Sequence, residues 1–126
     1  MASTVVRTSK RLDRTRTAMT FSNTETAVGA SETTVLDKFD VALYNRMTIQ
    51  IFNGDASNAG TAKVYGSLKD EPGTEGDTDW TQIGDDISVG TSNALKAIST
   101  TALKRLCVRA TGNGADLTVI VYAEQV

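Results

Sequence analysis

Apolar residues recur at every second position, in short runs broken by turn residues, and this period constrains the fold most. Met47, Ile49 and Ile51 alternate with Arg46, Thr48 and Gln50. Ala62, Val64, Gly66 and Leu68 repeat the pattern, as do Leu106, Val108 and Ala110 against Arg105, Cys107 and Arg109. Leu117, Val119 and Val121 alternate with Thr118, Ile120 and Tyr122, and near the start Thr17, Met19 and Phe21 alternate with Ala18 and Thr20. A two-residue period places alternate side chains on opposite faces of a pleated strand, so each run predicts a strand with one buried face. Val35 to Val41 reads as a short strand and a turn, and Ile83 to Val89 as one or two strands around Gly84-Asp85-Asp86. Asn53-Gly54-Asp55 marks a turn, and Gly112-Asn113-Gly114 reads as a hairpin turn. The expectation is an all-β chain: an antiparallel β-sandwich or jelly roll of about seven to eight strands with an extended N-terminal arm. The best helix candidate is Asn93 to Lys104, weakened by Ser99-Thr100-Thr101. The long crossover helices of a parallel α/β fold are missing.

The pattern begins only after about residue 16. Residues 1–16 form the arm, and residues 17–126 the sandwich domain. The arm holds Arg7, Lys10, Arg11, Arg14 and Arg16, opposed only by Asp13, with Val5, Val6 and Leu12 as its larger apolar side chains. So few apolar groups do not offset roughly 1–2 kcal/mol of backbone entropy per residue, which predicts a mobile arm in the isolated protein. Of the chain's 13 basic and 15 acidic side chains, five and one fall in the arm, which leaves eight bases against fourteen acids in the body. An arm of one copy is therefore matched in charge to the body of the next, or to another acidic protein surface; a solvated tail without function is the competing reading. Nucleic acid is the weaker choice, because no aromatic residues for base stacking lie near the arm.

The chain contains no histidine. That removes the commonest general base, the usual base partner of a serine or cysteine nucleophile, and the commonest metal ligand. One cysteine, Cys107, allows neither an intrachain disulfide nor a zinc cluster. It lies in an apolar run and reads as a buried small side chain; Arg105 and Arg109 on the same strand face keep a reactive thiol as the competing reading. No phosphate-binding loop motif is present. The acids from Asp70 to Asp79 read as a solvated loop, with calcium as the competing reading, although the register of an EF-hand is missing. A paired-carboxylate glycosidase would need acids on opposite walls of a cleft, and these share one loop. The chemistry expected is therefore binding or structure, with no enzyme activity and no cofactor or metal. Trp80, directly after the acidic loop, either packs at the edge of the core or, exposed, stacks on a sugar or anchors an interface. No apolar run approaches a membrane span or a secretory signal, so the expectation is an intracellular or virion setting without a membrane partner.

One further pattern runs from Ala62 to Val121. Lys63-Val64-Tyr65-Gly66-Ser67 is followed by a variable loop, by Asp79-Trp80-Thr81-Gln82-Ile83-Gly84, by Leu103-Lys104-Arg105-Leu106-Cys107-Val108-Arg109-Ala110-Thr111-Gly112, and by Leu117-Thr118-Val119-Ile120-Val121. This stretch resembles the small β-sandwich proteins that decorate and cement the capsids of tailed bacteriophages. The resemblance implies a virion protein on the capsid exterior, commonly a homotrimer, that bridges neighbouring copies of the major capsid protein. It carries over no catalytic residues. The contact residues proposed from this sequence are Arg7, Lys10, Arg11, Arg14, Arg16 and Trp80. Another virion component (tail, neck or head-completion subunit) and a carbohydrate-binding sandwich are the competing readings.

Overall fold

Eleven strands in two antiparallel sheets form the computed structural model, which describes residues 5–12, 16–74, 78–98 and 103–125. The first sheet contains β1 (Val6–Arg11), β2 (Thr17–Ser22), β11 (Asp116–Glu124), β5 (Arg46–Asn53) and β9 (Asn93–Ile98) in that spatial order. The two-residue strand β3 (Thr26–Ala27) also pairs with β11. The second sheet has the order β4 (Thr33–Asp40), β10 (Arg105–Gly112), β6 (Gly60–Ser67) and β7 (Thr81–Gln82), and β8 (Ile87–Gly90) also pairs with β6. The strand count exceeds the seven or eight expected because the sequence pattern does not mark two-residue strands such as β3 and β7.

The alternation seen in the sequence sets the register. Met47, Ile49 and Ile51 of β5 face Ala123, Val121 and Val119 of β11, and all six are buried. Leu106, Val108 and Ala110 of β10 lie opposite Gly66, Val64 and Ala62 of β6 and turn the same way, toward the first sheet. The two inner faces meet in one core around Leu36, Phe39, Ile49, Ile51, Leu106 and Leu117. Gly114 turns with φ +100°, a conformation that a side chain rarely adopts. The turn it occupies joins β10 of one sheet to β11 of the other, so it crosses the sandwich and is not the hairpin expected from Gly112-Asn113-Gly114.

Two other expectations give way to the fold. Asn93 to Ile98, read as the start of a helix, is strand β9, paired with β5 from Met47↔Ile98 to Phe52↔Asn93. Without β9, the outer backbone groups of β5 would lack their ladder; tertiary pairing outweighs the helix preference of Ala94, Leu95 and Ala97. Residues 99–102 of that helix reading lie outside the described residues. In the arm, Val6 to Arg11 is an edge strand, paired residue for residue with β2. All six of its side chains are exposed, so main-chain hydrogen bonds hold this segment where side-chain burial could not.

Candidate functional site

Strand β1 carries three of the five basic residues singled out in the arm. Alternation divides them between two faces. Arg7 lies opposite Phe21 and Arg11 opposite Thr17, on the side that turns toward the second sheet. Lys10, opposite Ala18, points to the outer face with Val6 and Thr8. Arg16 sits just before β2, where its carbonyl accepts the Leu12 N–H at 2.9 Å and closes the turn between β1 and β2. Arg14 lies outside the described residues.

Below Arg7 the sandwich opens into a groove of about 210 Å³, lined by Arg7, Met19, Phe21, Asp40, Leu43 and Tyr44. Its floor is aromatic. Phe21 stacks on Phe39 at 4.3 Å between ring centroids and meets Tyr44 edge-on at 6.2 Å. The Arg7 guanidinium stands 6.0 Å over the Phe21 ring and donates to the Val5 carbonyl at 3.5 Å. On the far rim, the Asp40 carboxylate accepts from the Ala42 N–H at 2.9 Å and pairs with Arg105 at 3.2 Å, yet 66% of its side chain stays exposed. Leu43 stands beside it, 69% exposed. The groove thus has a cationic rim on one sheet, an anionic rim on the other and an apolar floor between them. Its residues come from three separated stretches of sequence, so the arm's charges were legible but the groove was not. The alternation of Arg7, Ser9 and Arg11 is the one local signal that two of the charges share a face.

Trp80 is placed differently from the arm residues. Its side chain is buried, and its indole N–H donates to the Gly73 carbonyl at 3.1 Å. Asp79 holds the same loop: one carboxylate oxygen meets Lys69 Nζ at 2.6 Å, and the other accepts the Gly73 N–H at 2.8 Å. The Lys69 hydrogen bond, followed by that of Gly73, lowers the Asp79 pKa from its ordinary value. Lys38 Nζ reaches the Pro72 carbonyl at 3.1 Å, and Lys104 pairs with Asp70 at 3.0 Å. The geometry of Trp80 matches edge packing, and it lies away from β1 and the groove. Among the described residues, no group of three or more acidic or cysteine side chains is placed to hold a metal ion.

The outer face of the second sheet carries a different cluster. Glu32 pairs with Arg109 at 3.0 Å and Lys63 at 3.8 Å, and accepts from the Tyr65 hydroxyl at 3.2 Å. Burial, and then the charge of Glu32, raises the Tyr65 pKa. Cys107 lies opposite Tyr65 and is fully buried. Both arginines that could have activated it are engaged, Arg109 by Glu32 and Arg105 by Asp40, and burial keeps the thiol from solvent reagents.

No protein-family model matches this sequence, and no curated protein matches it. Solved structures do. The SPBc2 prophage-derived protein YomS is 14% identical, with a TM-score of 0.59 over 91% of this chain and 99% of that one. A Bacillus endospore appendage protein, from a family of disulfide-linked pili, is 13% identical, with a TM-score of 0.53 over all of this chain and 91% of that one. The C-terminal CBM6 of LamC, from Zobellia galactanivorans, is 10% identical, with a TM-score of 0.50 over 94% and 87% of the two chains. At these identities the likeness is one of fold: this chain is a two-sheet antiparallel β-sandwich.

Proposed function

We propose that this chain is a structural virion protein that decorates and cements a phage capsid from outside, bridging neighbouring capsid subunits without catalysing a reaction. The observation that carries this reading is β1, an edge strand whose six side chains are all exposed and which bears Arg7, Lys10 and Arg11 on a chain whose body is acidic. An exposed strand edge is a template for pairing with another chain, and its charges select partners of opposite sign. The likeness in fold to a prophage-derived protein over nearly the whole of both chains, and to a subunit of endospore pili, supports an assembly role. In this reading the arm meets the major capsid protein or another copy of the chain, with Arg7, Lys10, Arg11, Arg14 and Arg16 as its contacts. The resemblance in sequence suggests a homotrimer on the capsid exterior.

Deleting Met1 to Arg16 tests this. The sandwich is expected to stay folded, because β1 buries none of its side chains, while occupancy on the particle falls sharply. Unchanged occupancy would reject the arm as the contact.

A carbohydrate-binding role is favoured by the likeness to the CBM6 of LamC. Sugar platforms rely on exposed aromatics, and here Trp80 is buried while Phe52 and Tyr122 are 38% and 36% exposed. Light scattering during size exclusion separates the readings. At high dilution, a compact trimer favours decoration, a monomer the sugar module, and a hexameric ring or tube a tail subunit.

A further inference from the structure

We infer that the groove between β1 and β4 is a self-docking surface, in which two copies meet about a twofold axis and each copy's Arg7 faces the other's Asp40. This rests on the reading of the chain as an assembly subunit and adds the surface through which copies meet.

The argument begins with the two edges. Among the described residues β1 pairs only with β2, and β4 only with β10. Arg7 belongs to β1 of one sheet and Asp40 to β4 of the other, and both line the same groove. The two open edges therefore flank one side of the sandwich. Arg7 and Asp40 are opposite in charge and line the same groove, Asp40 keeps most of its side chain exposed beside its Arg105 partner, and no ion pair joins Arg7 to Asp40 within the copy.

A second copy can approach this side with its twofold axis along the strands or across them. An axis across the strands sets β1 against β1. Arg7, Lys10 and Arg11 would then meet their own copies, and like charges placed opposite one another destabilise a strand pair. An axis along the strands exchanges the two rims. Arg7 then meets the second copy's Asp40, and Asp40 meets the second copy's Arg7, so a single contact geometry is satisfied twice. β1 comes to lie beside the second copy's β4, which continues each first sheet into the other copy's second sheet.

The groove floor fits the same arrangement. Met19, Phe21 and Tyr44 form an apolar surface, and Leu43 stands 69% exposed at its rim. The twofold carries the second copy's Leu43 to the opposite rim, over this floor. The space of about 210 Å³ exceeds the roughly 150 Å³ of a cavity that admits benzene, so it has room for a leucine side chain. Leu43 is the large apolar side chain exposed at this groove, while Phe21 and Tyr44 of the floor are buried, so the contact offered to a second copy is one leucine against an apolar floor. Copies seated at neighbouring threefold positions of a closed shell face one another across local twofold axes, so such a contact would tie one decoration to the next.

Sedimentation of the full-length chain over a wide concentration range tests the inference, with R7E, D40K, L43S and the double variant R7E/D40K. The unit present at high dilution is expected to double in mass as concentration rises. R7E or D40K alone weakens the doubling by about tenfold or more, because each turns two attractions into two repulsions. The double variant, which restores opposite charges across the axis, returns to within a few-fold of the unaltered chain. L43S weakens doubling without touching charge, and as an exposed loop position it leaves folding intact even if D40K disturbs the Arg105 pair; circular dichroism checks both. Absence of doubling, single swaps without effect, or a double variant as weak as the singles would overturn the inference. Shell occupancy measured on the same variants separates the two ideas. Doubling without occupancy keeps the twofold contact and removes the cement reading. Occupancy without doubling does the reverse.

Discussion

Replacing Asn53 by alanine is expected to destabilise the sandwich more than any other single polar truncation outside the ion pairs. Asn53 ends β5 and is 9% exposed. Its amide nitrogen donates to the carbonyls of Asn58 at 2.7 Å and Gly90 at 2.8 Å, and its oxygen accepts the N–H groups of Asp55 at 2.9 Å and Asp116 at 3.1 Å. One side chain thus ties the end of β5 to the loop after it, to the end of β8 and to the start of β11. Four hydrogen bonds at about 1 kcal/mol net each give about 4 kcal/mol, and water reaching part of the loop reduces this to about 2–4 kcal/mol. For a domain of this size that lowers Tm by roughly 6–16 °C. Urea unfolding followed through the fluorescence of Trp80, the one tryptophan, measures it, with a shifted midpoint at constant slope as the signature. Asn53→Asp keeps the acceptor bonds but sets a carboxylate against two carbonyls, so it should be no more stable than the alanine variant. A loss below about 1 kcal/mol for Asn53→Ala would refute the idea that this bracket holds the strand ends together.

Gly66→Ala should cost no more than about 1 kcal/mol, because its Cβ would meet only the ends of the partly buried Ile83 and Leu103 side chains, which can shift; denaturant titration reads the loss. Trp80→Phe removes the hydrogen bond to the Gly73 carbonyl and should lower stability by about 1 kcal/mol, visible as a lower Tm in calorimetry. Acid should weaken the fold. The pKa of Asp55 is lowered by the backbone N–H groups of Ser57 and Asn58, and that of Asp79 by Lys69, so both folded values lie below 3.8. The stability they contribute is present above pH 3.8 and is lost as pH falls through the folded values; D55N and D79N should flatten that decline in acid-titrated melting curves.

The strands with one buried face were legible because their alternation is a direct record of which side meets the core. Met47, Ile49 and Ile51 stand inward as their spacing implied. The edges were not legible. Asn93 to Ile98 carries good helix formers, and only the need of β5 for a partner makes it a strand. Val6 to Arg11 buries no side chain, so no hydrophobic pattern could reveal that its main chain pairs with β2. The positive charge of the arm was visible in the sequence, but its division between two faces follows from the pleat. The groove depends on Asp40, Leu43 and Tyr44, which lie more than thirty positions from Arg7 and come beside it only when the two sheets stack.

The central claim, that the basic edge strand docks this chain on an acidic assembly surface, is tested most directly by adding purified full-length chain to capsid shells stripped of it. Occupancy is then measured as ionic strength rises. Charge-selected docking predicts saturable occupancy that falls as salt shortens the screening length below roughly 8 Å, its value near physiological ionic strength. No occupancy at any salt concentration, or occupancy indifferent to salt, would contradict it.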